Sequence, residues 1–377
     1  NVINGVHGMK VHSKLLWIKR KEKNTLKNYA YIGTGNFHEG TARVYTDKGL
    51  LTSDPRLANE VSNIFEFFKH NYKHFNYKHL IVSPFTMRDF FTSCIDNEIK
   101  LAKQGKEAWM IVKMNSLIDP KMMTKVYEAA QAGVKIQLII RGIFGLQVGL
   151  KGISENITAI SIVDKYLEHS RIFLFGNGGD EKMFISSADW MTRNLNRRVE
   201  VACPIYDQDI KAELKEMLQI QLKDNTKARI LDAELQNSYN IGDPERPYRA
   251  QEDYYRHIKN KHYFVMKIYH NPRCSKSRAC LQYLEEKGYD LEIVKYLNEG
   301  ITAKELSDII SKSGKTPFDF VRTHEKDYID LYKGNNISDE EWIKILVGNP
   351  KLLQRPIVIN GERAVIANPP ELIVGIL

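Results

Sequence analysis

The sequence predicts an α/β protein built from more than one domain. Three observations carry this. A length of 377 residues at about 150 residues per domain gives two or three domains. Strand-like alternating runs and helix-like runs follow one another along the chain, the pattern of a largely parallel or mixed sheet with helices on its faces. A polar, charged stretch over residues 228–261 separates two such series. With 43% hydrophobic and 27% charged residues, the composition is that of packed domains and excludes a mostly disordered, collagen-like or coiled-coil chain.

The elements follow in order. Residues 10–20 and 29–33 predict a strand, a turn and a strand. Residues 54–70 predict a helix, because Leu57, Val61, Ile64 and Phe67 recur at helical spacing. Strand-like runs at 80–82, 108–113 and 134–140 alternate with helical runs at 87–103 and 119–132. The polar stretch reads as a last helix and a linker, the linker at 259–265. Residues 266–270 then form a short strand and 279–287 a helix, opening an α/β unit of their own. The expected domains are 1–78, 79–258 and 266–377.

Lys+Arg 55 against Asp+Glu 46 leaves a net charge of +9, which suits a polyanionic partner: nucleic acid, polyphosphate, nucleotide or an anionic surface. Nucleic acid is disfavoured, since no zinc pattern, helix-turn-helix cue or arginine-rich tail is present. Cys94, Cys203, Cys274 and Cys280 are too few and too scattered for a disulfide framework, and no basic-plus-apolar leader is visible, so a reducing, cytoplasmic setting is expected. No window approaches the roughly 20 apolar residues of a membrane-spanning helix. The chain opens on Asn1 rather than Met and is expected to start inside a longer protein.

Of eleven histidines, His70, His74 and His79 lie in a basic, aromatic run and read as solvated. His12 and His169 differ. His12-Ser13-Lys14 is expected on an alternating strand with His12 and Lys14 on one face, and His169-Ser170-Arg171 repeats the arrangement. Each is followed by a second strand ending in small polar residues, Gly33-Thr34-Gly35-Asn36 and Ser186-Ser187-Ala188-Asp189. A duplicated His-x-cation frame suits phosphoryl chemistry, because imidazole can attack phosphorus while the cation neutralises its oxygens. The frame resembles the two-halved phospholipase D superfamily, with Arg171 where that superfamily usually has Lys. Gly35 to Gly40 followed by Thr41 has P-loop spacing but lacks the lysine, and reads as a turn.

A closer resemblance runs through Gly8-Met9-Lys10-Val11-His12-Ser13-Lys14, Tyr31-Ile32-Gly33-Thr34-Gly35-Asn36-Phe37, Thr41-Ala42-Arg43-Val44-Tyr45-Thr46-Asp47, Arg141-Gly142, Tyr166-Leu167-Glu168-His169 and Ser186 to Asn194. These are similar to the C-terminal half of bacterial polyphosphate kinases, over about residues 1–258. The resemblance implies two phospholipase D-like α/β domains, the first truncated. It implies that His12 takes the terminal phosphate of ATP and passes it to polyphosphate, and that His169 assists. It places Arg141, Lys14 and Arg171 against phosphate and Tyr45 on the adenine. Mg²⁺ would bridge the nucleotide phosphates, and the full-length family protein would be a homo-oligomer, in the cytoplasm or peripherally on a membrane.

In the second series, His270-Asn271-Pro272-Arg273-Cys274-Ser275-Lys276-Ser277-Arg278 leads from a strand into a helix. Cys274 would sit at the helix N-terminus, where free N–H groups and the macrodipole favour thiolate, with Arg278 one turn along. Cys280 reads as structural. The His-x-x-x-Cys-x-x-x-Arg frame, with Leu297, Thr302, Phe318 to Arg322 and Leu353 to Val358, resembles the glutaredoxin-linked arsenate reductases, which implies a thioredoxin-like α/β domain. By that resemblance Cys274 attacks an oxyanion, Arg278, Arg322 and Arg355 attend it, Pro356 is cis, and an external thiol such as glutathione, with glutaredoxin, completes the reduction. Asn368 stands where that family has a further arginine. A second reading makes this domain a non-enzymatic thiol or protein-binding module and the rest a polyanion binder. A third makes the junction two neighbouring genes read as one, which the start-like Met266 would suit.

Overall fold

A computed structural model of the chain describes residues 2–3, 5–234, 236–242, 246–262, 266–289 and 291–376. The chain divides into two compact units, Asn1–Tyr255 and Arg256–Leu377. Of the expected linker, 259–262 continue the helix Ala250–His262. Its remaining residues, like Asn1, lie outside the described residues.

The first unit opens with β1 (Lys10–Val11), β2 (Lys14–Glu22), β3 (Thr25–Gly33), β4 (Tyr45–Thr46) and β5 (Gly49–Thr52). Then come β6 (Ile81–Ser83), β7 (Trp109–Met114), β8 (Lys135–Ile140), β9 (Ile157–Ile162) and β10 (Leu167–Glu168). It ends with β11 (Arg171–Phe175), β12 (Lys182–Ser186), β13 (Arg198–Pro204) and β14 (Ala228–Ile230). Nine of these form one mixed sheet in the order β1-β13-β12-β11-β7-β8-β9-β14, with β6 also on β13. β2, β3 and β5 form a separate antiparallel sheet, and β4 pairs with β10 in parallel.

The large sheet is buried on both faces, so its central strands read as continuous apolar runs. In β11, Phe173 and Phe175 enter the core covered by the helices Met87–Lys103 and Pro120–Gln131, while Ile172 and Leu174 enter the opposite core. That second core is closed by the helices Pro55–Lys69 and Gln208–Leu222 and by Ala30 and Ile32 of β3. Helix starts follow their cap chemistry: Asp54 and Asp119 accept from the N–H groups of Arg56 and Met122, and Pro55 and Pro120 at the first helical position supply a preset φ.

One expectation is corrected. Residues 10–20 are not a continuous strand, and His12 and Lys14 share no strand face. The N–H groups of both His12 and Ser13 donate to the single carbonyl of Val199, each at 3.0 Å. The chain thereby leaves the large sheet after β1 and enters the small sheet at Lys14.

The second unit has β15 (Met266–Tyr269), β16 (Leu291–Val294), β17 (Ile357–Asn360) and β18 (Arg363–Ile366), in the order β16-β15-β17-β18. β15 and β16 are parallel, and β17 runs antiparallel to β15. One core lies under Ala303–Ser313 and Asp339–Gly348, the other under Ser275–Glu286, where Cys280 is fully buried as expected. This is the thioredoxin-like α/β domain. The described residues contain no helix long and apolar enough to cross a membrane.

Candidate active sites

The duplicated frame of the first unit is duplicated in its backbone hydrogen bonds and in the side chains that hold it. His169 and Ser170 donate their N–H groups to one carbonyl, Thr46, as His12 and Ser13 do to Val199. Lys14 Nζ reaches back to the His12 carbonyl at 2.5 Å, and Arg171 Nη1 to the His169 carbonyl at 2.7 Å. Lys14 pairs with Gly33 across β2 and β3, and Arg171 with Ser186 across β11 and β12. The residue after each partner is a hydroxyl: Thr34 donates to Asp47 at 2.7 Å, and Ser187 to Glu200 at 2.5 Å.

Those two carboxylates hold the histidines, and they are exchanged between the halves. Glu200, from β13, lies 2.9 Å from His12 Nδ1, while Asp47, just past β4, lies 2.8 Å from His169 Nδ1. Gly35 is required where it stands, because a Cβ there would run into the Asp47 carboxylate. Asn194 holds the second oxygen of Glu200 at 2.8 Å. Burial alone would push the Asp47 carboxyl up, but hydrogen bonds from His169 and Thr34 outweigh it, and the group sits below its ordinary range.

The two imidazoles differ on their other nitrogen. Arg171 Nη1 lies 3.2 Å from His169 Nε2. A guanidinium only donates, so Nε2 is an acceptor and the ring proton is on Nδ1, facing Asp47. Burial, opposed by Asp47, holds the pKa of His169 below the usual value and keeps the ring neutral. His12 also directs Nδ1 at a carboxylate, yet among the described residues its Nε2 takes no hydrogen bond, and its side chain is 22% exposed against 11% for His169.

Arg171 is buried and committed. It makes two 3.2 Å bonds to Asp189 and a third donation to the Thr34 carbonyl. It therefore anchors His169 rather than offering a free fork. Arg141 donates Nε to Asn115, which also bonds the His169 carbonyl, and among the described residues its Nη groups take no partner. Lys14 is buried beside this cluster. Desolvation, only partly offset by Glu200, lowers its pKa from 10.5 to about 8. Tyr45 packs its ring on His169, centroids 4.9 Å apart. Behind His169, Lys113 and Glu168 form a buried ion pair at 2.6 Å.

In the second unit, Cys274 caps the helix Ser275–Glu286 and is half-buried. Burial would raise its pKa, but the N–H groups of Ser277 and Lys276 and the Arg355 guanidinium outweigh it, leaving the thiol below its usual value. Arg278 is corrected as the thiol's cation: it is exposed and donates to the Pro272 carbonyl at 2.9 Å. Arg322 and Arg355 both meet Glu325, and Arg355 precedes a cis bond to Pro356. Asn368 is exposed.

The geometry finds its counterparts among known proteins. Residues 1–74 match the family described as polyphosphate kinase C-terminal domain 1, residues 80–251 match polyphosphate kinase C-terminal domain 2, and residues 269–376 match the ArsC family. The chain carries polyphosphate kinase C-terminal domains and an ArsC family domain. The polyphosphate kinase of Vibrio parahaemolyticus is 47% identical over 260 residues, which are 69% of this chain and 37% of that protein. That of Escherichia coli K12 is 45% identical, over 69% and 38%. The crystal structure of the polyphosphate kinase from Porphyromonas gingivalis is 41% identical with a TM-score of 0.64, over 68% of this chain and 40% of that one. The chain thus spans little more than a third of the curated relatives quoted.

Within the polyphosphate kinase region, sequence reasoning singled out both histidines and missed the carboxylates that hold them. A signal was available. Asp47 follows Thr34, and Glu200 follows Ser187, by the same 13 positions.

Proposed function

We propose that the polyphosphate kinase region transfers the terminal phosphate of ATP to polyphosphate through His12. The observation that carries this is the contrast between two equally framed imidazoles, one with Nε2 open and one with Nε2 taken by Arg171. With Nδ1–H of His12 donating to the Glu200 carboxylate, the His12 Nε2 lone pair attacks phosphorus. The new N–P bond forms as the bond to the bridging oxygen breaks and ADP departs. Transfer to a terminal polyphosphate oxygen then frees the ring. Lys14 and the Nη groups of Arg141 supply positive charge for the equatorial oxygens. Arg171, through His169, positions the second half, and Tyr45 offers a ring face to the adenine.

Mg²⁺ belongs to this chemistry as the counter-ion of nucleotide phosphates. The residues present do not form a protein cage for it. Among the described residues no group of three His, Cys, Asp or Glu converges, and Asp47, Glu200 and Asp189 are spent on His169, His12 and Arg171. The ion would arrive with its nucleotide. The test is incubation with Mg²⁺ and radiolabelled ATP. Acid-labile label on His12, lost in His12→Ala, is expected; label that persists in His12→Ala overturns the reading.

The ArsC domain we read as an oxyanion-reducing thiol unit. The Cys274 thiolate forms an S–As bond to arsenate as one oxygen leaves as water. Glutathione then attacks, arsenite departs with the two electrons, and the mixed disulfide on Cys274 is returned to thiol by glutaredoxin and a second glutathione. The lowered thiol pKa and the nearby Arg355 support this. Asn368, exposed where the family has an arginine, favours the alternative of a thiol-based protein-binding module. ATP, ADP, polyphosphate and glutaredoxin are the partners these readings require, in a cytoplasmic homo-oligomer with peripheral membrane contact at most.

A further inference from the structure

The end of the second sheet where Cys274 stands also gathers Tyr296, and nothing in the oxyanion reading above uses it. β15 and β16 are parallel, with Tyr269 opposite Val294. Cys274 follows the end of β15 and Tyr296 follows the end of β16, so both loops leave the same edge, tied by the 2.8 Å bond from His270 N–H to the Val294 carbonyl. Arg355 enters that edge from the other side, because Ile357 pairs with Tyr269 in the antiparallel strand β17. Arg322 joins it through its N–H on the Leu352 carbonyl at 2.8 Å.

Tyr296 is 0% exposed. Its hydroxyl is buried and donates to no acceptor among the described residues, and the same holds for Nε of Arg355. The phenol stands beside Arg355, whose guanidinium is within hydrogen-bonding reach of the phenol oxygen, and near Arg322 and the Cys274 sulfur; a guanidinium only donates, so it is the hydroxyl proton that lacks an acceptor. A buried phenol normally finds an acceptor, and leaving one unmet is costly. Two unmet donors beside one lowered-pKa thiol share a need for the same kind of group: a compact acceptor with several oxygens.

We propose that Tyr296 is a binding residue of the Cys274 site, its hydroxyl donating, together with Arg355 Nε, to a tetrahedral oxyanion held over the sulfur. This rests on the reading of the ArsC domain as an oxyanion site and adds the donor that Asn368 does not supply. The anion completes Tyr296 and Arg355 at once, and a neutral phenol donor does so without adding a third positive charge beside Arg322 and Arg355.

The experiment is protection of Cys274 from iodoacetamide in the full chain, read by peptide mass spectrometry, with arsenate and phosphate titrated separately. Tyr296→Phe keeps the ring and removes only the donor. In the parent, one or both ions slow alkylation. In Tyr296→Phe the half-protecting concentration rises about tenfold, the scale of one charge-assisted hydrogen bond. Protection is read in each protein relative to its own alkylation rate without anion, and the melting temperature is unchanged or higher, because an unmet donor has left the core. Equal protection in parent and variant overturns the role of Tyr296 while leaving the oxyanion site standing. A lower melting temperature with equal protection assigns the phenol to packing. Absence of protection by either ion in the parent overturns both the oxyanion reading and this proposal.

Discussion

Glu200 lies 2.9 Å from His12, 188 positions earlier in the chain, and Asp47 reaches forward in the same way to His169. Each half of the polyphosphate kinase region therefore completes the other half's imidazole. Loss of the Glu200 carboxylate should cost orientation rather than fold. Glu200→Gln is expected to slow phosphorylation of His12 by roughly 10²- to 10⁴-fold, as for other carboxylates that fix a catalytic ring, with the circular dichroism spectrum retained. A rate within a factor of two or so of the parent would remove Glu200 from the mechanism.

Lys14 sets an alkaline limit. Its pKa is lowered to about 8 chiefly by desolvation, so its charge is present below that value and lost as pH rises through it. Phosphoryl transfer to His12 is expected to decline on the alkaline side with a midpoint near about 8. Lys14→Arg, which stays charged, should shift that limb upward. A pH profile identical in parent and variant would contradict the assignment.

The Lys113–Glu168 pair is buried, at 1% and 5% exposure, and supports His169 from behind. Removing one partner strands the other charge, so Lys113→Met should cost roughly 3–5 kcal/mol in urea unfolding. Lys113→Met combined with Glu168→Gln should recover much of that loss.

Cys274 should be the thiol that reacts first at neutral pH. The thiols of Cys94 and Cys280 are pushed up to about 11 and about 12 by burial, and that of Cys203 higher still. Arg355→Gln withdraws a cation that lowers the Cys274 pKa, so its thiolate fraction falls and its alkylation at neutral pH slows several-fold. Arg278→Gln, whose parent side chain turns away to Pro272, should leave the rate nearly unchanged.

The contrast between Arg355 and Arg278 shows where the sequence was legible. Helical spacing placed Pro55–Lys69 and Met87–Lys103, because local periodicity and capping decide such elements. The repeated His-x-cation frame exposed both histidines for the same reason. Arg278 has the right helical offset from Cys274, yet the cation that acts on the sulfur comes from the far end of the domain, where strand pairing delivers it. Likewise His12 lies between two sheets, not on a strand, because the Val199 carbonyl captures two successive N–H groups. That capture depends on a strand nearly two hundred residues away, and no local pattern reports it.

The central claim is that His12 is the nucleophile and His169 is not. Phosphoramidate, a small phosphoryl donor that needs no nucleotide site, tests it directly on this chain, with mass spectrometry locating the phosphohistidine. Phosphate on Nε2 of His12, with His169 unmodified, is the predicted result. Phosphate on His169 in preference to His12 would contradict it.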